Sequence, residues 1–401
     1  MRIKRLTLNN FRAFENPEPF EFSGNFSVIA GINGRGKTSI LDAVAILASR
    51  LARQIDEPIP RQYRSVTIRD IHRGAETFNI SMDVLFAETP LNFPMEYGKR
   101  QKYLAQSVRK AINQVPLTVY YTTDRAVCRM PRKVPDQAPL PRQAAFLGAL
   151  VNSTVDFRDL ITRVRMLRGY STFLPGSMHY KMLKGFEHVM KVFLPGFTSL
   201  HVDDKTLALT VKKNDKSFNI DQLSDGERAF LALTTDLTRR LTLAHSELKD
   251  PLKGEAIVLI DELELHLHPR WQRTVIDNLK STFPNVQFIA TTHSPFIIQS
   301  LNSDELILLD DVAAGDFSNR GLEEIVIKIM GIEDPNVTPR YLKMLDVATK
   351  YFKLIEDAPN IRNSKRTQLK RKLNAMIKPY KKDNPAYEAF LEMQRVRAFR
   401  E

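Results

Sequence analysis

An apolar run, Phe26-Ser27-Val28-Ile29-Ala30, ends at Gly31-Ile32-Asn33-Gly34-Arg35-Gly36-Lys37-Thr38, and that junction leaves few folds open to the chain. The spacing G-x-x-x-x-G-K-T is a P-loop: backbone N–H groups turn toward phosphates, the lysine reaches β/γ oxygens and the threonine offers its hydroxyl to Mg²⁺. Such a loop needs a strand before it and a helix after it. The apolar run supplies the first. Residues 37–52 supply the second, with apolar side chains nearly all round, as in a helix buried inside a domain. The helix start adds its own dipole toward an anion. Asn33, Gly34, Gly36, Lys37, Thr38 and Ser39 are therefore candidate nucleotide-binding residues.

Three later motifs extend the site. In Ile257-Val258-Leu259-Ile260-Asp261-Glu262, four apolar residues are followed by two carboxylates. A buried strand ending there brings Asp261 beside Thr38, where it can hold a Mg²⁺ shell, and leaves Glu262 to orient or deprotonate an attacking water. In Leu223-Ser224-Asp225-Gly226-Glu227, a serine and a glycine precede a predicted helix over 226–247. Ser224, Gly226 and Glu227 can meet a γ-phosphate at that helix N-terminus. The same residues also make an ordinary N-terminal cap, and the two readings are compatible. His293, in Thr291-Thr292-His293-Ser294, follows a predicted strand over 286–291 and can reach the γ-phosphate or the water; a purely structural histidine is the alternative. His266 and His268 lack a third ligand nearby and read as a loop rather than a zinc site.

Between these motifs, strands are expected at 2–9, 19–30, 78–86, 115–123 and 256–261, with a further β stretch over 198–219. Helices are expected at 95–114 and about 269–282. Pro131, Pro135, Pro139 and Pro141 mark an extended connection into a segment of helical spacing over 142–194. The alternation of strand and helix after residue 226 implies a largely parallel sheet. The expected fold class is α/β, a mostly parallel sheet with an antiparallel β part, a helical insertion and a basic helical tail. The expected domains are an N-terminal lobe at 1–130, the insertion at 131–195, a C-terminal lobe at 196–340 and the tail at 341–401.

Fifty-nine Lys and Arg against 46 Asp and Glu give a net charge of +13, a balance that points to a polyanionic partner such as nucleic acid. Residues 358–382 alone hold nine basic and no acidic side chains. That stretch suits a DNA-binding face, an anchor for an acidic partner, or a solvated helix. The single cysteine, Cys128, excludes an intramolecular disulfide framework and fits a reducing cytosol. No signal peptide or apolar membrane span is read, so a cytoplasmic protein without membrane partners is expected.

On these residues the chain resembles the ABC-type ATPases of the SMC/RecF/OLD group. Leu8-x-x-Phe11-Arg12-x-Phe14, the P-loop, residues 261–272 (DELELHLHPRWQ) and 291–295 (TTHSP) carry the resemblance. Within that group it is most similar to PtuA-like anti-phage ATPases of Septu and retron-linked systems. The resemblance implies an ABC-type ATPase head that binds ATP and Mg²⁺. It further implies a homodimer, or a higher oligomer, in which Ser224 and Gly226 act on the neighbour's nucleotide, and a separate nuclease partner, commonly of HNH type. Arg12 would lie near the nucleotide, a surface arginine being the alternative. No glutamine is assignable to a Q-loop, and the insertion is too short for an SMC coiled coil. The acidic cluster of an OLD-type nuclease is missing after Leu308. A RecF-like DNA clamp acting in repair without a nuclease is the main alternative. A transporter ATPase subunit fits poorly, since Glu227 stands where transporters place Gln. A nucleotide-locked scaffold conflicts with an intact Glu262.

Overall fold

The computed structural model describes residues 1–55, 57, 59, 64–86, 88–99, 112, 114–126, 141–151, 161, 162, 164, 176–203, 208–309 and 320–331, with four single positions beyond 345. The proline-punctuated connection, Cys128, much of the expected insertion and nearly all of the basic tail lie outside the described residues. The chain divides into two compact units, Met1–Gly331 and Ile332–Glu401, and the first carries every motif above.

Its centre is a five-stranded parallel sheet in the order β12-β3-β11-β10-β6. These strands are β3 (Phe26–Ala30), β6 (Thr118–Tyr121), β10 (Ala256–Ile260), β11 (Val286–Thr292) and β12 (Leu306–Leu308). The three middle strands are buried along their whole length, as expected of a sheet covered on both faces. Successive side chains feed two cores. Ile29, Ile257, Leu259 and Ile289 pack toward helix α1 (Lys37–Ala52). Val28, Val258, Ile260 and Phe288 pack into the opposite core. That second core also takes in helix α2 (Met178–Phe193) and helix α3 (Asp225–Ala244), which lie against each other.

A four-stranded antiparallel sheet lies over α1 in the order β2-β1-β4-β5: β1 (Arg2–Asn9), β2 (Glu18–Glu21), β4 (Asn79–Phe86) and β5 (Thr89–Glu96). It shares the α1-side apolar core with the parallel sheet, and one polar tie joins the two. The buried side-chain amide of Gln287 on β11 accepts from the Ile3 N–H and donates to the Ile3 carbonyl, both at 2.8 Å. A smaller antiparallel sheet, β7 (Phe197–Val202), β8 (Leu209–Lys213) and β9 (Lys216–Asn219), leads into α3. Inside α3 the buried hydroxyls of Thr234, Thr235, Thr238 and Thr242 are each satisfied by a carbonyl one turn back.

Three expectations need correction. The stretch 19–30 is two strands in two sheets. Residues 95 and 96 close strand β5 instead of opening a helix, and 100–111 of that expected helix lie outside the described residues. The helix expected over 269–282 is two, α4 (Pro269–Gln272) and α5 (Val275–Thr282), separated by Arg273 and Thr274.

Candidate active site

The strand-to-helix turn forms as its glycines require. Gly34 and Gly36 have φ of 85° and 98°, in the left-handed region that disfavours any side chain. Gly36 is doubly constrained, because a Cβ there would lie 2.8 Å from the Phe14 ring and 3.3 Å from Ala13 Cβ. The Phe-Arg-x-Phe segment and the P-loop are thus packed against each other. Helix α1 begins with no side-chain cap and no acidic residue in its first turn, so its leading amides keep their capacity for an anion. Asn33 and Gly34 are exposed, Ser39 is buried, and the nearly buried Lys37 ammonium donates to the carbonyls of Gly31 (2.7 Å) and Ile32 (3.0 Å).

Thr38 and Asp261, 223 positions apart, meet at the C-terminal ends of the parallel strands. The Thr38 hydroxyl lies 3.0 and 3.2 Å from the two Asp261 carboxylate oxygens. Thr291 Oγ1 donates to the same carboxylate at 2.6 Å and accepts the Glu262 N–H at 2.7 Å. A hydroxyl and a carboxylate converging on one point are the hard oxygen donors Mg²⁺ prefers, so the residues present fit that ion. Immediately after β10, Glu262 turns the chain with φ of 49°, a conformation uncommon outside glycine.

Two charged residues that sequence reasoning missed hold this turn. Arg125, in the short turn Thr123–Ala126 after β6, is 3 % exposed. It donates to the carbonyls of Asp261 and Glu262. Burial pushes its pKa down to about 10 against the pull of the Asp261, Glu264 and Glu262 carboxylates, so it stays cationic at neutral pH. Glu264 accepts from the Thr292 hydroxyl at 2.7 Å and from the His293 N–H, fixing the end of β11. His293 borders a cleft of about 340 Å³ that it shares with Gly31, Ile32, Asn33 and Thr292.

The Ser-Asp-Gly-Glu motif begins α3. Ser224 is its N-cap and Glu227 completes the reciprocal capping box. Glu227 is turned inward, toward Ser224 and Lys213. Burial alone would raise its pKa, but the bonds from Lys213 and Ser224 outweigh that and hold it below the usual carboxylate range. Gly226 presses on the loop after Glu262: a Cβ there would stand 2.1 Å from the His266 carbonyl oxygen. His268 caps α4, accepting the Arg270 N–H. Arg12 lies outside these contacts, bridging Asp70 at 2.8 Å and Asp42, which sits one helical turn after Thr38 in α1 and also pairs with Arg64 at 2.7 Å. The signals for Arg125 and Glu264 in the sequence were slight: an arginine two residues after an expected β run, and a third carboxylate in Asp-Glu-Leu-Glu.

Two family models match stretches of the chain that include the motif residues of the site. Residues 157–299 match a family described as "AAA domain, putative AbiEii toxin, Type IV TA system", and residues 5–89 match one described as "AAA domain". The chain is 44 % identical to the Retron Vc95 probable ATPase of Vibrio cholerae serotype O1 biovar El Tor, over 78 % of this chain and 74 % of that protein. It is 47 % identical to the Retron Ec83 probable ATPase of Escherichia coli over 33 % of this chain, and 40 % identical to the Septu protein PtuA of Bacillus mycoides over 77 %. The matches span 24 % of the Ec83 protein and 40 % of that PtuA.

Proposed function

Because the chain belongs to the family of the Retron Vc95 probable ATPase, we propose that it is a Mg²⁺-dependent ATPase of an anti-phage system, closing as a dimer on ATP to control a partner nuclease. The observation that carries the ATPase reading is the meeting of Thr38 and Asp261 at 3.0 Å beside the uncapped start of α1. A nucleotide triphosphate would displace the Gly31 and Ile32 carbonyls from Lys37, whose ammonium gains phosphate oxygens in exchange. The first-turn amides and those of Asn33 to Gly36 would face the β-phosphate. Thr38 and Asp261 would hold the metal, which supplies Lewis-acid charge to the phosphate oxygens when bound. Glu262, aimed by its left-handed turn, orients the water for in-line attack and accepts its proton. His293 approaches the γ-phosphate from the cleft beside the P-loop. Arg12, 30 % exposed, retains open surface beside α1 from which to meet the nucleotide.

Dimerisation rests on Ser224 and Gly226 at the start of α3: the serine is exposed, and its hydroxyl, now bonded to Glu227 of its own chain, can turn outward to another anion. A second protomer's γ-phosphate is the ligand that suits it. The nuclease partner, of HNH type, and nucleic-acid contact rest on the Septu and retron kinship and on the +13 charge. Steady-state ATP turnover tests the core of the reading. Wild type is expected to hydrolyse ATP only with Mg²⁺, Lys37→Ala to lose nucleotide binding, and Glu262→Gln to bind but hydrolyse on the order of 100-fold more slowly. Light scattering is expected to show the Glu262→Gln mass doubling with ATP and Mg²⁺. Unchanged turnover in Glu262→Gln would remove the catalytic assignment, and an unchanged mass would remove the composite site. Co-expression with the neighbouring genes tests the nuclease: a pull-down without one would detach this chain from that role.

A further inference from the structure

We propose that Arg125 is a positioning residue of the ATPase reaction, its buried guanidinium clamping the main-chain carbonyls of Asp261 and Glu262 and thereby aiming the Glu262 carboxylate. The proposal rests on the ATPase reading above and adds a residue that no motif contains. The geometry is that of a fork: one terminal nitrogen serves the Asp261 carbonyl, together with that of Thr122 at 3.1 Å, and the other serves the Glu262 carbonyl at 2.5 Å. Two consecutive carbonyls are thus fixed by one planar group, a task for which a lysine ammonium lacks the shape.

The backbone there needs such fixing. Glu262 holds φ of 49°, and a non-glycine residue in that region persists only where its surroundings over-determine it. Its N–H is taken by Thr291 Oγ1 at 2.7 Å and its carbonyl by Arg125 and by the Leu265 N–H at 2.9 Å. Remove Arg125 and the peptide between Asp261 and Glu262 loses its donor, while the ordinary extended conformation becomes available to Glu262. The anchor itself is rigid. The Tyr121 carbonyl accepts the Asp261 N–H at 2.9 Å, and the Tyr121 hydroxyl donates to Asp236 on α3 at 2.9 Å. A structural spacer would not need a charge, and burying a guanidinium is costly. The cation instead sits where the carboxylates of Asp261, Glu262 and Glu264 all act on it. Its hydrogen bonds go to the main chain, so it sets the backbone from which the Glu262 carboxylate projects.

The test uses the full chain with Arg125→Met, Arg125→Gln and Arg125→Lys. The readouts are ATP turnover, binding of a fluorescent non-hydrolysable ATP analogue, and amide hydrogen exchange across 259–266. In Arg125→Met we expect kcat to fall on the order of 10–100-fold while analogue affinity changes by less than about threefold, because the loss is one of aim. Arg125→Lys should recover part of kcat, and exchange should quicken at 262–265. A double variant separates positioning from general weakening. On a Glu262→Gln background, Arg125→Met should cost single-turnover hydrolysis less than about twofold more, since the group it aims is gone. Normal kcat in Arg125→Met, an equal fall in kcat and affinity, or full additivity in the double variant would each overturn the proposal. So would loss of folding in all three variants, which would assign Arg125 to structure alone. Absence of Mg²⁺-dependent ATP turnover in the wild-type chain would instead sink the ATPase reading on which this one stands.

Discussion

Asp236 is where the helix carrying the Ser-Gly motif is tied to the sheet carrying the carboxylates, and replacing it with asparagine should destabilise the first unit severely. Its carboxylate receives Arg239 at 2.7 and 3.2 Å, Arg240 at 2.7 Å and the Tyr121 hydroxyl at 2.9 Å. Both arginine side chains are 8 % exposed and Asp236 is 10 % exposed, so solvent cannot take over the lost bonds. Asparagine keeps the shape but withdraws the counter-charge and turns an N–H₂ toward donors. Leaving a buried cation unpaired costs about 3–5 kcal/mol. Arg240 still reaches the carbonyls of Ala145 (2.6 Å) and Leu147 (2.8 Å), which is why the lower half of that range is expected. Urea unfolding at pH 7.5 measures it, with the exposed pair Arg5–Glu21 as a control, where loss of Glu21 should cost about 0–1 kcal/mol.

The pH dependence follows from direction alone. Burial would raise the Asp236 carboxyl, but Arg240 and Arg239 hold it well below its ordinary range. The unfolded chain therefore takes up the proton first as pH falls. The stabilisation is complete above about pH 4–5, near the unfolded value, and drains away below it. The gap between wild type and Asp236→Asn should narrow as pH drops from about 5 to 3. A gap under about 1 kcal/mol at pH 7.5, or one that does not narrow in acid, would refute the reasoning.

Further outcomes follow from single contacts. In Gly226→Ala the new methyl would sit 2.1 Å from the His266 carbonyl, so thermal unfolding should reveal a loss of about 1–3 kcal/mol; an unchanged Tm would mean the two loops do not pack as described. Gly36→Ala meets both φ of 98° and the Phe14 ring, and ATP-analogue titration should show affinity falling about tenfold or more. Thr291→Val strips a donor from Asp261 and the acceptor from the Glu262 N–H, costing about 1–3 kcal/mol of stability with reduced turnover, whereas Thr291→Ser should retain both.

What could be read in advance, and what could not, divides along one physical line. Four of the parallel strands, β3, β6, β10 and β11, and α1 were legible because each is a local apolar run whose burial leaves no polar alternation to confuse the reading, whereas β12, three residues long and only partly buried, gave no such signal. Strand β5 was missed because Pro90 and Pro94 lie within it. It is the edge strand of its sheet, where a missing N–H costs nothing. The break between α4 and α5 went unseen because residues 269–274 bury no side chain fully, so periodicity had nothing to register. In the site, Lys37, Thr38 and Asp261 announce themselves through spacing. Arg125 cannot, since it acts on main-chain carbonyls 136 and 137 positions away, and a backbone acceptor leaves no trace in residue type. In the sequence Gly226 points to a phosphate contact, yet its first demand in the fold is steric, imposed by the His266 carbonyl.

Ser224 shows how one residue can satisfy its own helix and still be offered outward. A hydroxyl has one proton and two lone pairs. One lone pair accepts the Glu227 N–H at 3.3 Å, which is the cap, and the proton points to Glu227 Oε2 at 3.0 Å. Glu227 has other partners, since the same oxygen takes the Ser224 N–H at 3.1 Å and the other takes Lys213. Rotating the hydroxyl proton from Glu227 to a phosphate oxygen of a second protomer would therefore leave the cap intact and orphan nothing. The exchange trades one charge-assisted bond for another of comparable strength. Cap and phosphate roles can accordingly be separated by Ser224→Asp. Aspartate is as good an N-cap as serine, but it cannot donate to Glu227 and sets a like charge beside it, so stability of the isolated chain should fall by no more than about 1 kcal/mol. Its charge would oppose a γ-phosphate, and ATP-dependent doubling of mass in the Glu262→Gln background should disappear. Ser224→Ala should instead lose about 1 kcal/mol of stability through the cap. If Ser224→Asp still doubles its mass with ATP and Mg²⁺, Ser224 does nothing beyond starting its own helix, and the contact between protomers must be made by other residues.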